Sequence, residues 1–169
     1  MNIFVIDEDP KRSAMQLNDK HIVKMVVEQA QMLSTTRLLF KDKTLGLYKP
    51  CFINHPCTKW VRESLDNYRW SVIHFKALCE EYTYRYYKVH KTMSLLPLFT
   101  KELKGIPDIG LTKFATAMPD KNKVEDSIQS YRNYYLGEKI LNKIWTNRKK
   151  EELDYWLSSN LKDEQFKRN

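Results

Sequence analysis

Apolar positions recur along this chain at helical spacing, and strand-like alternation is nearly absent. The clearest stripe reads Val61, Leu65, Tyr68, Val72, Phe75, Cys79, Tyr82 and Tyr86, with Asp66, Arg69, Lys76 and Glu80 on the other side. That pattern predicts a long amphipathic helix beginning at Pro56-Cys57. Asp9-Pro10 pairs a capping residue with a proline suited to a first helical turn, so a helix is expected from there to about Phe40. A second cap signal at Asn18-Asp19 predicts a break or kink inside it. Further helices are expected over 92–104, broken by Pro97, from about Lys123 to Trp145, and near Glu151–Leu161. Residues 41–56 and 105–123 carry the glycines and most of the prolines of the middle of the chain and read as loops. Asn2–Ile6 reads as a short extended segment packed into the core, and the polar C-terminal residues as frayed. The expected architecture is all-α: one compact domain spanning 1–169, with four to six helices and a short extended N-terminal segment.

Composition narrows the function classes. The chain has 169 residues, enough to bury a core without disulfides. Cys51, Cys57 and Cys79 are three in number and match no CxxC or Cys/His spacing. Neither a disulfide framework nor a zinc site is expected, and a reducing, intracellular setting is. No apolar run approaches membrane-spanning length, and Met1–Ile6 lacks the basic start of a signal peptide. The net charge of +8 suits a polyanionic partner such as nucleic acid, with ordinary solubility charge as the alternative. No segment is a basic arm, so a cationic surface has to be assembled by folding.

Candidate chemistry centres on Asn18–Glu28. His21 and Glu28 stand seven positions apart. On a helix that places them about 20° apart around the axis, on one face. Lys24 lies between them and Lys20 beside them, so Glu28, His21, Lys24 and Lys20 form a candidate set for acid–base or imine chemistry. The plainer alternative is an i,i+4 Lys–Glu pair beside a half-buried histidine. Asp19 is expected to cap the helix, with orientation of His21 as the alternative.

A second group, Phe52 to Trp60, contains Asn54, His55 and Lys59 at a helix start, where free N–H groups favour a phosphate. Arg62 and Arg69 follow on the same helix, to bridge phosphates or, alternatively, to form surface salt bridges with Glu63 and Asp66. The aromatic-basic segment Glu81–Lys91 offers Arg85, Lys88 and Lys91, together with Tyr84, Tyr87 and His90, as backbone-tracking and stacking groups. Tyr131–Lys139 adds Arg132 and Lys139 for phosphates, while its tyrosines read as core. Glycine-rich phosphate loops, G-x-S-x-G and HExxH are missing. No metal and no cofactor is expected; Asp7, Glu8 and Asp9, together with His21, are the one group with donors suited to a divalent ion.

The run Leu17-Asn18-Asp19-Lys20-His21 through Glu28 resembles the early helix of the phage-type pyrimidine-dimer DNA glycosylases, with Asp-x-His and a Glu seven residues after the His. The order of later features is similar: a long central helix with an aromatic-basic end at Leu78–Lys88, then a tyrosine-rich run ending in Gly137. The resemblance implies a small all-α protein acting on DNA, with duplex as the expected form, through amine attack on the sugar C1′ followed by elimination of the 3′ phosphate. It makes Glu28 the cation stabiliser and proton carrier, and places His21 at the lesion backbone. A flipped-out nucleotide is expected, because the anomeric carbon is shielded in a stacked duplex. The chain departs from the family in that Asn2, a bulky residue, follows Met1, with no basic neighbour in Asn2-Ile3-Phe4. That leaves Met1, Lys20 and Lys24 as candidate amines, with a chain lacking the lyase step as the alternative. A non-enzymatic nucleic-acid-binding module and a protein-interaction factor of a phage-like genome remain the alternatives.

Overall fold

The computed structural model describes residues 1–168. Its long elements are all helical: α1 (Pro10–Met15), α2 (Asp19–Leu39), α3 (Pro56–Glu63), α4 (Leu65–Tyr86) and, after short turns, α5 (Leu96–Phe99), α6 (Ser127–Glu138) and α7 (Tyr155–Ser158). The one strand pairing among the described residues joins β1 (Trp145–Thr146) to β2 (Phe166–Lys167) in parallel. The all-α expectation therefore holds. α1 and α2 pack on α4, and α3 wedges between α2 and α4.

Local chemistry explains the boundaries. The Asp9 carboxylate accepts from the Lys11 and Arg12 N–H groups, and Pro10 opens α1. The expected break at Asn18-Asp19 is real, but Asn18 is the cap: its side chain accepts from the His21 N–H. Asp19, expected as that cap, instead faces Arg85 at 2.8 Å and accepts from the Thr146 N–H at 3.0 Å. The long helix predicted from Pro56 is interrupted at Ser64, whose extended backbone and side chain start α4. Of the predicted stripe, Val61 (on α3), Tyr68, Phe75 and Cys79 are buried and Leu65, Val72, Tyr82 and Tyr86 are half-buried, and the buried face is wider and polar: Asn67, Ser71, His74, Glu81 and Arg85 are also buried.

Three C-terminal expectations fail. The helix expected over Lys123–Trp145 is confined to Ser127–Glu138, capped by Asp126. Residues after Lys139 turn back instead, with Asn142 at φ 53°, and deliver Trp145 to the core. Among the described residues the tail is tied down, because Phe166–Lys167 pairs with β1. The helix expected near Glu151–Leu161 is reduced to α7.

The N-terminal segment is buried as expected, but it is no regular strand. Phe4 has φ 57°. The Asn2 carboxamide holds that bend: its oxygen accepts from the Ile3 N–H at 2.8 Å, the Phe4 N–H at 3.2 Å and the Tyr131 hydroxyl at 3.0 Å. Its nitrogen donates to the Ala117 carbonyl at 2.7 Å. The chain start is thereby locked against α6 and the loop before it.

Candidate active site

The face predicted on α2 opens into a cavity of about 370 Å³. Lys20, His21, Lys24 and Glu28 line one side, and Met1, Asn2 and Phe4 line another. Tyr134, Glu138, Lys139 and Lys143 complete it from α6 and the turn that follows. All four candidate catalytic residues therefore share one concavity.

Glu28 is the point of convergence. One carboxylate oxygen accepts the Asn2 N–H at 2.8 Å and lies 3.7 Å from the Met1 amino group. The other oxygen pairs with the Lys24 ammonium at 3.1 Å. The Met1 side chain is 1% exposed, whereas that of Lys24 is 59% exposed. The Thr58 hydroxyl, on α3, donates to the Met1 sulfur at 3.4 Å. Of these two amines, the α-amino group is the one fixed by packing.

His21 is held by aromatic rings and by Tyr135. Its ring stacks on Phe4 with centroids 4.3 Å apart, and Phe4 in turn stacks on Tyr134 at 6.0 Å. The Tyr135 hydroxyl accepts from the Asn18 N–H at 2.8 Å and lies 3.0 Å from His21 Nδ1, and the Asn18 amide nitrogen, a donor only, faces the same ring nitrogen at 3.4 Å. That leaves the ring proton on Nε2. Burial, reinforced by Lys139, Lys24, Lys20 and Lys143, drives the His21 pKa down to about 3. The imidazole is thus a neutral hydrogen-bonding group. Four lysines around one histidine also make the cavity a focus of positive potential.

His74 is fully buried between α4 and α2, donates toward Gln29, and is likewise pushed down to about 3 by burial. A free histidine titrates near 6.5, so below that pH the unfolded chain takes up protons that the native one refuses. Stability is expected to fall as pH drops from 6.5 toward 3, by about 1.4 kcal/mol per pH unit for each of the two groups. Thermal unfolding from about pH 7 to about pH 4.5 checks this, with His74→Gln expected to lower the slope by one histidine's share. An unchanged slope would rule out His74 as a source.

The remaining site candidates divide. Lys139 joins the cavity, its ammonium 4.4 Å from the Tyr134 ring centroid. Asn54, Lys59, Arg69, Lys88 and Lys91 are exposed, with Arg69 paired to Asp66 at 2.9 Å. Half-buried His55 caps α3 by accepting the Cys57 N–H at 3.2 Å. Arg62 donates to the Ile53 carbonyl.

Two candidates are corrected. Arg85 is fully buried and binds Glu81 at 2.7 Å, Asp19 at 2.8 Å and the Met15 carbonyl at 3.0 Å, so no phosphate reaches it. Arg132 donates to the Ile6 carbonyl at 3.0 Å and stacks over Trp156, an internal tie between α6 and the N-terminal segment. Tyr84 is also spent internally, bonding the Asn147 carbonyl at 3.0 Å and receiving Arg148 over its ring. His90 caps the turn at Thr92. Asp7 faces Arg12 and Arg132, and Asp9 caps α1. Among the described residues no three His, Cys, Asp or Glu side chains gather as a metal site.

Sequence reasoning passed over Phe4, Tyr134 and Lys143. Phe4 and Tyr134 read as core, and no motif marks Lys143. Only folding brings them to Glu28.

Comparison with known proteins shows the family. The sequence model of the pyrimidine dimer DNA glycosylase family matches residues 1–95, more than half of the chain. The protein belongs to that DNA glycosylase family. Comparison with curated proteins and with solved structures gives no match. Among the described residues no helix is long and apolar enough to cross a membrane.

Proposed function

We propose that the protein is a DNA glycosylase with lyase activity, acting on a damaged or modified base in duplex DNA at the Glu28 cavity. The observation that carries this reading is the convergence of the Met1 amino group and the Asn2 N–H on one Glu28 oxygen, inside a lysine-lined concavity. The lone pair of the α-amine attacks C1′ as the glycosidic bond breaks, and the bonding electron pair leaves with the base, which takes up the proton the amine sheds. Glu28 stabilises the developing sugar cation by its charge. Ring opening breaks the C1′–O4′ bond, O4′ taking the second proton of the amine, and leaves an imine between the amine nitrogen and C1′. The Glu28 carboxylate then removes a C2′ proton, and the 3′ phosphate leaves by elimination. His21, neutral, supplies a hydrogen bond to the sugar-phosphate, and Lys20, Lys139 and Lys143 hold flanking phosphates.

The choice of amine follows from packing. Lys24 extends into water, whereas Met1 is seated. Should Met1 be cleaved off, the amine exposed is that of Asn2, already 2.8 Å from Glu28.

Borohydride trapping on a duplex with an abasic site tests the reading. A covalent protein–DNA adduct is expected, and peptide mapping should place it on the α-amine of the first residue. An adduct on Lys20 or Lys24 would reassign the nucleophile. The absence of any adduct would remove the lyase step.

A further inference from the structure

The loop that leads into α3 carries an apolar tip that neither the fold nor the proposed chemistry uses. Phe52 is 63% exposed and Ile53 39% exposed. Burying them would have been favourable, yet the loop is braced so that they stay out. The Thr35 hydroxyl on α2 bonds both the N–H and the carbonyl of Cys51, at 3.1 and 3.3 Å. The His55 N–H closes the turn onto the Phe52 carbonyl at 2.9 Å. Arg62 donates to the Ile53 carbonyl, and His55 caps the helix beyond. Phe52 itself has φ 47°, a conformation an L side chain adopts at a cost.

The tip is also close to the chemistry. The first turn of α3, directly after it, touches the start of the chain: Thr58 bonds the Met1 sulfur at 3.4 Å, and the Cys57 sulfur lies 3.9 Å from the Asn2 carboxamide oxygen. Exposed Lys49, Asn54 and Lys59 flank the tip and suit a phosphate backbone on either side.

We propose that Phe52, backed by Ile53, is a wedge that enters the base stack of duplex DNA beside the reacting nucleotide. It fills the gap in the stack that opens when a nucleotide at the lesion leaves the helix. Apolar side chains inserted at a base step unstack it and kink the duplex, which lowers the cost of extruding a nucleotide. A braced loop is what such a role needs, since a floppy tip would fold back on the protein. This inference rests on the DNA-acting reading above, and deepens it by assigning the residue that opens the duplex.

Phe52→Gly and Phe52→Leu test the wedge against duplexes carrying a pyrimidine dimer or an abasic site, and against the same strands unpaired. Glycine accepts φ 47° freely, so Phe52→Gly should melt no lower than the parent. Its reaction with duplex is expected to fall about tenfold or more, while its reaction with the unpaired strands stays within about twofold. Phe52→Leu, still an apolar wedge, should recover most of the duplex rate. The enhanced fluorescence of 2-aminopurine beside the lesion on binding should be lost in Phe52→Gly and kept in Phe52→Leu. Parental duplex rates in Phe52→Gly, or an equal loss on duplex and single strand, would overturn the wedge and leave the glycosylase reading standing. A parent protein inert on every one of these DNAs would overturn both.

Discussion

Replacement of Glu28 by glutamine is expected to lower turnover by about a thousandfold while the protein still folds and binds damaged duplex. The carboxamide keeps the size of the side chain and one oxygen to accept the Asn2 N–H, which the carboxylate holds at 2.8 Å. It loses the negative charge that faces the Met1 amino group at 3.7 Å and Lys24 at 3.1 Å, and it cannot take a proton from C2′. The defect should therefore appear in single-turnover incision and in imine trapping, with fluorescence anisotropy reporting DNA affinity within a few-fold of the parent. Incision that survives within tenfold would show that Glu28 is a tether for the N-terminus and nothing more.

Arg85→Ala is expected to cost about 3–5 kcal/mol of stability, the range for removing one partner of a buried ion pair. The guanidinium is fully buried and ties three elements together: Glu81 within α4, Asp19 at the start of α2, and the Met15 carbonyl at the end of α1. Glu81 retains Arg148, whose Nε lies 2.9 Å away, and Asp19 retains the Thr146 hydroxyl at 2.6 Å. Those residual partners place the loss below that of an isolated buried carboxylate. Chemical denaturation measures it directly, as a lower midpoint with an unchanged slope. An Arg85→Ala chain as stable as the parent but weakened in DNA binding would restore Arg85 to the surface role its sequence context suggests. Lys88→Ala, at an exposed position three residues on, serves as the control, with stability expected to be unaffected.

These two residues differ in where their partners lie along the chain. Glu28 is legible in the sequence because its relation to His21 and Lys24 is local: a helical repeat alone puts them on one face. The caps at Asp9 and Pro10 and the stripe of α4 are legible for the same reason. Arg85 is not, because an aromatic-basic run looks alike whether its arginine meets phosphate or a buried carboxylate. The partners that decide it, Asp19 and Met15, lie 66 and 70 positions away. Arg132 escapes in the same way, through Ile6 at a separation of 126. The C-terminal third departs most, since short helical turns and a two-residue strand pairing leave little periodicity to read.

Helical repeat and capping chemistry, both written in neighbouring residues, determined on their own that this is an α-helical protein with an imidazole, two ammonium groups and a carboxylate on one ridge. Whether that ridge meets solvent, core or a hollow was decided only by packing. The buried chain start brought its amine to the carboxylate, α6 closed the hollow with Tyr134, and the turn after it added Lys139 and Lys143. Those contacts depend on how the whole chain folds back on itself, which no local spacing encodes.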